Sequence, residues 1–160
     1  MSPAELERYL REHIPLSKAM QVSVASLSDE SVVLTAPLAP NINHLQTLFG
    51  GSASALAILA AWALLQTRLK AAGIAVRLVI QRNRMSYDQP IDGAFSARSF
   101  LSEPRDWDGF VRMLARKGRA RIEVSAVLEY AGQVAGRFSG EFVALGQASA
   151  ASPPRPEIRS

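Results

Sequence analysis

The residues best placed to do chemistry are Gly50, Gly51 and Ser52, which stand directly before a long apolar segment. Glycine has no side chain, so it lets another group approach the backbone closely, and Ser52 is a good cap for the start of a helix. The first N–H groups of a helix have no partner inside the helix and lie at the positive end of its dipole. The sequence therefore predicts a place where a negative oxygen can be stabilised.

A basic cluster is the second group of residues with a chemical preference. Five basic and no acidic residues occur within ten positions: Arg112, Arg116, Lys117, Arg119 and Arg121. Such side chains bind phosphates, and they also suit the acidic surface of a protein partner. A solvated helix end is the alternative, because cations near a helix C terminus are stabilised without any ligand.

Composition excludes several other kinds of site. The 160 residues contain no cysteine, which rules out disulfides, thiolate zinc sites and a cysteine nucleophile. The two histidines, His13 and His44, are too few for a histidine-cluster metal site within one chain, so no metal is expected. The net charge of +4 is well short of a nucleic-acid-binding tail. The first eleven residues are charged and lack an apolar run, so we expect no signal peptide and a cytoplasmic protein.

Periodicity and turn residues place these groups on a series of elements. A connector at 14–20 is expected to pack Ile14, Leu16 and Met20 inward, and the long helix should run from Ser52 to about residue 72 and end at Gly73. The other expected helices are 3–13 and 104–116, the expected strands are 21–27, 31–36, 76–87, 94–101, 119–130 and 133–145, and 147–160 is expected to be a disordered tail.

The region around the long helix is unusually apolar. Between Glu30 and Arg68 there are 37 residues without a formal charge. A membrane span needs roughly 20 strongly apolar residues, whereas the centre here is mostly alanine. The pattern favours an α+β fold with no membrane span, in which an antiparallel sheet curls around one helix and a partner subunit covers what the sheet leaves.

Three segments in this order resemble hotdog-fold thioesterases. NINHLQTLFGGS, at 41–52, is similar to their substrate loop, where an Asn precedes a Gly-Gly at the start of the central helix. MSYDQPIDGAF, at 85–95, is similar to the aromatic–x–x–Pro…Gly turn after their next strand. KGRARIEVSAVLEYAGQVAGRFSGEFVAL, at 117–145, is similar to their closing hairpin. The combination resembles most the thioesterase domain at the C terminus of the bacterial YiiD protein, and it covers residues 14–145.

The resemblance implies a single hotdog domain over residues 1–146 that forms a homodimer or a dimer of dimers. It implies active sites at the subunit interface and substrates in which an acyl group is linked to coenzyme A or to acyl carrier protein. No cofactor is implied beyond coenzyme A as part of the substrate. Carried over by residue, Gly50 with Gly51 would polarise the thioester carbonyl, and Asn43 would orient water or the thioester. A loop-capping turn is the alternative for Asn43.

The chain departs from the relatives at two positions. Phe49 stands where many have His, and Ile58 stands where many have a catalytic Asp or Glu. No acidic residue occurs between Gly50 and Gly73, so the usual carboxylate route to hydrolysis is missing. The nearest substitutes are His44, since histidine can take a proton near neutral pH, and Asp88, Ser52 and Ser54. Each also has a structural interpretation, as a loop, turn or packing residue.

The predicted function is an acyl thioesterase that uses water. A non-hydrolytic module that binds or transfers acyl thioesters is the alternative, favoured by the absent carboxylate. The residues expected to contact the substrate are Phe49, Ser52, Ser54, Tyr87 and Asp88 around the acyl thioester and Arg116, Lys117 and Arg119 at the phosphates.

Overall fold

The computed structural model describes residues 1–146. Its helices are α1 (Pro3–His13), α2 (Pro15–Ala19), α3 (Gly50–Ala71) and α4 (Asp106–Lys117), with a 3-10 turn at Ala39–Asn41. Its strands are β1 (Ser23–Leu27), β2 (Val32–Ala36), β3 (Val76–Tyr87), β4 (Phe95–Leu101), β5 (Arg119–Tyr130) and β6 (Gln133–Gly146). The tail that the sequence predicts to be disordered lies outside the described residues.

The six strands form one antiparallel sheet in the order β1-β2-β4-β5-β6-β3. Alternate residues of a strand point to opposite faces, and β5 buries one set while the other set is exposed or half-buried. The buried set faces α3, which packs against β2 to β6. The α+β arrangement expected from the sequence, a sheet wrapped around one long helix, is confirmed.

Helix α3 is the centre of the hydrophobic core. Ten of its 22 residues are buried, and Gly73 ends it in the left-handed conformation with φ 72°. By length and composition α3 is the one helix in residues 1–146 that could span a membrane, but the sheet packs around it. One stripe is only half-buried and includes Ile58 and Trp62, so the sheet leaves part of this apolar helix without full cover.

The strand registers define two ends of the molecule. At one end Arg119 pairs with Leu145, and Val76 pairs with Gly146. At the other end Gly136 pairs with both Tyr87 and Leu128. Helix α3 begins at this second end, because the ring of Tyr87 lies against Gly50. It runs toward the first end, where the Arg68 guanidinium lies 4.1 Å from the ring centre of Trp107 in α4.

The β5–β6 hairpin has the two-residue turn that its sequence predicts. Ala131 and Gly132 both have positive φ, 51° and 75°, as a type I′ turn requires, and Tyr130 pairs with Gln133 across it. Gly118, between α4 and β5, also allows the chain to change direction. Its φ of 69° ends α4 in the left-handed conformation, so that β5 can begin at the next residue.

Two expectations for local structure are wrong, the first of them in part. Met20 and Ile14 pack against the core as expected, but Pro15 starts a short helix that leaves Leu16 57% exposed and buries Ser17 instead. Ser52 is not the helix cap, since α3 begins at Gly50 and Phe49 is its N-cap residue. Phe49 has extended backbone angles, φ −65° and ψ 131°. The N-cap position therefore lies three residues before Ser52, the residue expected to cap the helix.

Strand β3 is an edge of the sheet, with β6 as its sole neighbour among the described strands. It is 12 residues long and mostly exposed, and Val79 in its first half is 51% exposed. Long open edges invite pairing with another chain. The edge and the half-buried stripe of α3 are therefore the surfaces on which a second copy would be expected.

Candidate functional site

The start of α3 offers two unused backbone donors. The N–H of Ser52 and that of Ala53 both donate to the carbonyl of Phe49, at 3.0 and 3.1 Å. Within residues 1–146 the N–H groups of Gly50 and Gly51 have no hydrogen-bond acceptor, as expected for the first two positions of a helix. Of the three donors that the sequence suggests, Gly50 and Gly51 are free and Ser52 is engaged.

A cavity of about 270 Å³ adjoins Gly50. Three of its lining residues are exposed, Tyr87, Gln89 and Pro90, and we call their side of the cavity its mouth. Its other walls are uncharged and include four buried residues. They are Leu48, Gly50, Ala53, Ile91, Leu128 and Ala135. Such a cavity suits an uncharged acyl group whose carbonyl stays at the mouth, next to the start of the helix.

The cavity holds none of the expected proton acceptors. Of the residues that line it, all within 1–146, Tyr87 is the sole titratable one. His44 is exposed on the preceding loop, and neither Ser52 nor Ser54 lines the cavity. The carboxylate of Asp88 pairs with Arg137 at 3.0 Å, while its N–H donates to Ala135 O. The structure thus brings Gly50 and Tyr87 together at the cavity, whereas His44, Ser52, Ser54 and Asp88 are not part of its lining.

Asn43 uses its whole amide to hold its own loop. Its Oδ1 accepts from the N–H groups of Leu45 and Thr47, at 2.8 and 3.1 Å. Its Nδ2 donates to Thr47 Oγ1 at 2.9 Å and to Leu48 O at 3.3 Å. This geometry is that of the loop-capping alternative, in which Asn43 positions the segment that leads to Gly50.

Asn41 is a structural residue of the site that sequence reasoning missed. It is 2% exposed, and its Nδ2 donates to Met20 O and Pro37 O, at 3.0 and 2.8 Å. Its backbone carbonyl accepts a hydrogen bond from the N–H of Phe49 at 2.8 Å. This contact positions Phe49, the N-cap residue of α3. The local sequence Asn-Ile-Asn does not show that its first asparagine is buried. The hydrogen-bond partners of Asn41 are 4 and 21 residues away in the chain, so its role becomes visible only in the folded structure.

The turn at the cavity mouth is tied to the loop before α3 on one side and to the sheet on the other. The N–H of Leu48 donates to Ile91 O at 2.7 Å, which joins the loop of Asn43 to the turn. On the other side Tyr130 donates its hydroxyl to the carboxylate of Asp92. This hydrogen bond raises the pKa of the Tyr130 hydroxyl above its ordinary value. The mouth is therefore held by contacts with β5 and with the loop before α3.

The basic cluster lies elsewhere, on a groove between α4 and the start of β5. This cationic groove has a volume of about 720 Å³. Five basic residues line it, and Arg116 of the predicted cluster is not among them. They are Arg105, Arg112, Lys117, Arg119 and Arg121. The groove belongs to the end of the molecule opposite Gly50, so one protomer does not bring the two parts of the predicted site together.

The site has no obvious place for a metal ion. Among the described residues, no three His, Asp or Glu side chains lie close enough together to ligate one. The chemistry available at Gly50 is therefore that of backbone donors, a helix dipole and a phenol hydroxyl.

Comparison with known proteins gives a family and a fold. The sequence profile of the family described as "Putative thioesterase (yiiD_Cterm)" matches residues 3–146. A Chlorobaculum tepidum protein of unknown function, 28% identical, superposes with a TM-score of 0.84 over 91% of this chain and 94% of its own. The "putative thioesterase" of Shewanella oneidensis, 24% identical, gives 0.79 over 89% and 96%.

A more distant structure confirms the architecture. The thioesterase HI1161 of Haemophilus influenzae is 10% identical and superposes with a TM-score of 0.77 over 95% of this chain and 96% of its own. At this identity the likeness concerns the fold alone. These thioesterases share the hotdog fold, and the expectation drawn from the sequence for this chain is confirmed.

Proposed function

The chain belongs to the yiiD_Cterm thioesterase family, and from that premise we propose that it hydrolyses the thioester bond of an acyl-CoA in the cytoplasm. One observation carries this proposal: Gly50, the first residue of α3, lines an uncharged cavity, and its N–H has no acceptor within residues 1–146. In hydrolysis, water adds to the thioester carbon, the carbonyl oxygen becomes negative, and the carbon–sulfur bond then breaks to release the thiol and the acid. Donors aimed at that oxygen lower the barrier.

The roles of individual residues follow from their positions. Gly50, assisted by Gly51, donates to the oxyanion, and the dipole of the 22-residue helix α3 adds to the stabilisation. Tyr87 lies against Gly50 and places its hydroxyl where the thioester enters. Asn43 acts by holding the loop. His44, the exposed histidine of that loop, does not line the cavity itself. We propose that it takes a proton from the attacking water and returns it to the leaving sulfur when the carbon–sulfur bond breaks.

The proposed assembly is a homodimer. A 12-residue exposed edge strand and an incompletely covered apolar helix are surfaces that a second copy would cover. Closed two-fold dimers are the commonest solution for such self-complementary surfaces.

A second function is favoured by a specific observation. The cavity beside Gly50 has neither a carboxylate nor an imidazole in its lining. A site that binds an acyl thioester without hydrolysing it needs neither. The alternative function is therefore a module that binds acyl-CoA or acyl carrier protein, or transfers the acyl group to another acceptor.

A hydrolysis screen across acyl-CoA chain lengths and acyl carrier proteins separates the two functions. The released thiol can be followed with a thiol reagent without background, because the protein has no cysteine. We expect turnover of at least one acyl-CoA whose acyl group is uncharged. Tight binding of acyl thioesters without release of thiol from any of them would contradict the thioesterase and support the binding module.

A further inference from the structure

The four buried residues that line the cavity beside Gly50 form its inner wall. They are Ala53 of α3, Ile91 of the turn at the mouth, Leu128 of β5 and Ala135 of β6, each at most 3% exposed. All four side chains are hydrocarbon, so an acyl chain gains free energy when it leaves water to contact them. A charged or hydroxyl group at the far end of the chain would find no hydrogen-bond partner among these side chains. The inner wall therefore favours an unsubstituted hydrocarbon chain.

The volume of the cavity limits the length of that chain. One water molecule occupies about 30 Å³ in the liquid, and a methylene group is of similar size. At this volume for each group, the cavity of about 270 Å³ holds roughly nine of them. With the thioester carbonyl at the mouth, an acyl chain of about eight carbons fills the cavity. Because protein interiors are closely packed, a longer chain requires a residue of the inner wall to move.

Leu128 lies in the inner wall at a place where the neighbouring strand has no side chain. Its partner in the β5–β6 pair is Gly136. A Cβ at Gly136 would lie 3.1 Å from Leu128 Cδ1, which is closer than an ordinary contact. The side chain of Leu128 therefore leans over Gly136 and takes space that a side chain there would fill. Leu128 is 2% exposed, so close packing holds it in this position.

An adaptable residue lies next to Leu128. The same Cβ at Gly136 would be 3.4 Å from Met85 Cε, so the side chains of Leu128 and Met85 both lie against this glycine. Of the two, Leu128 lines the cavity and Met85 does not. Methionine is unbranched and flexible, and it adjusts to irregular spaces in a core. Met85 thus lies just outside the present wall, where it can make room if the side chain at position 128 becomes smaller.

We propose that Leu128 is the residue at which the acyl chain ends, and that the substrates are thioesters of unsubstituted hydrocarbon chains of up to about eight carbons. The inference rests on the proposed function, because it takes the acyl group to lie in this cavity. It assigns the chain-length specificity to one side chain and to the glycine against which that side chain lies. A smaller residue at position 128 lengthens the preferred chain, and a larger one shortens it.

The test compares the wild type with Leu128→Ala over a series of substrates from acetyl-CoA to dodecanoyl-CoA. For the wild type, kcat/KM should rise by up to about fourfold for each added methylene that is buried. It should reach its maximum at about eight carbons and then fall, because the cavity is full. Leu128→Ala removes three carbon atoms from the inner wall, so its maximum should move to chains longer by about three carbons.

Three further variants separate chain length from stability. Leu128→Phe should move the maximum in the opposite direction, to shorter chains. Leu64→Ala is the matched control, because Leu64 is fully buried in α3 but does not line the cavity. It should lose a comparable amount of stability and keep the chain-length maximum of the wild type. If thermal denaturation shows that Leu128→Ala is unfolded, Leu128→Val replaces it, and its maximum should move by about one carbon.

Each other outcome overturns the inference. A wild type that prefers dodecanoyl-CoA would contradict the length limit, and an unchanged maximum in the Leu128 variants would place the end of the chain elsewhere. Equal shifts in Leu128→Ala and Leu64→Ala would assign the change to lost stability. If the wild type hydrolyses none of the series, the proposed function fails, and the Kd of each acyl-CoA for the same variants still tests the limit. A Kd that does not depend on chain length would overturn the inference as well.

Discussion

At the scale of single residues, the proposed site depends on a backbone donor and not on a side chain. The N–H of Gly50 is free, and it adjoins the cavity and the ring of Tyr87. Asn43, which has the more conspicuous functional group, gives all of its hydrogen bonds to its own loop. Changes at these two residues should therefore have different effects on catalysis and on stability.

Gly50→Pro should remove catalysis and keep the fold. Proline is well accommodated at the first position of a helix, and Phe49 before it already has the extended backbone that proline requires. The change deletes one donor to the oxyanion, a loss of about 2.7–4 kcal/mol in the barrier. Turnover should fall 10²- to 10³-fold at an unchanged melting temperature.

Gly50→Ala is the matched control for that variant. It keeps the N–H, and its Cβ would meet Tyr87 at an ordinary contact distance of 3.5 Å. Its turnover should stay within a few-fold of the wild type. Equal losses in the alanine and proline variants would assign the effect to the filled space and contradict the role of the donor.

Asn43→Ala should reduce stability as well as turnover. The change removes four hydrogen bonds within the loop, and we expect a loss of about 1–2 kcal/mol in the free energy of unfolding. Asn43→Asp keeps the two acceptor bonds and should lose less. Thermal denaturation and turnover are measured on both variants. A large loss of turnover without any loss of stability would show that the amide contacts the substrate, as the sequence resemblance implies.

Ala53→Leu should restrict the protein to shorter acyl chains. Ala53 is buried in the wall of the cavity, and a larger side chain there would occupy acyl space. We expect kcat/KM to fall for long chains more than for acetyl-CoA. Ala135→Leu, at another wall residue, should shift the profile in the same direction. A uniform loss across all chain lengths would place the acyl group outside this cavity.

At the scale of elements, two short reversals set the geometry of both ends of the molecule. The turn at Ala131 and Gly132 fixes the register of β5 and β6 at the end that holds Gly50. Gly118 joins α4 to β5 at the end that holds the cationic groove. Both require positive φ, a conformation that costs little for glycine and more for residues with a Cβ.

Gly118→Ala should destabilise the protein by about 1 kcal/mol, because alanine is strained at φ 69°. For a chain of this length the melting temperature should fall by roughly 2–4 °C. No atom lies within 4 Å of the missing Cβ, so the loss would reflect backbone strain and not a clash. Gly118→Asn is the control, since asparagine tolerates this conformation better. Equal melting temperatures for the two variants would argue against the strain.

At the scale of the whole molecule, the open edge of β3 and the half-buried stripe of α3 lie where a single protomer is incomplete. The sheet closes around most of α3 but ends at β3. The cavity and the groove lie at opposite ends, as the registers show. A second copy across this edge would cover the exposed backbone.

Light scattering at micromolar concentration should give at least twice the 17.3 kDa of one chain. Hydrogen exchange would test the interface itself. In a free edge strand the amides that do not face β6 exchange quickly, whereas pairing with a second copy protects amides on both sides of β3. We expect protection along the whole strand. A monomeric mass, or alternating fast amides in a dimer, would contradict pairing through this edge.

The sequence alone determined most of the elements, because their signals are local, although it missed the short helix α2. Alternation over neighbouring residues predicts β3 and β5 at the bounds observed, and the positive-φ preference of glycine predicts the ends at Gly73, Gly118 and Gly132. Tertiary structure decided the site, since its contacts join residues that are far apart in the chain. It decided that Phe49 and not Ser52 caps α3, and that Asn41 is buried beneath the loop. It also set Gly50 and the basic cluster at opposite ends, because β5 and α3 each run the full length of the molecule between them.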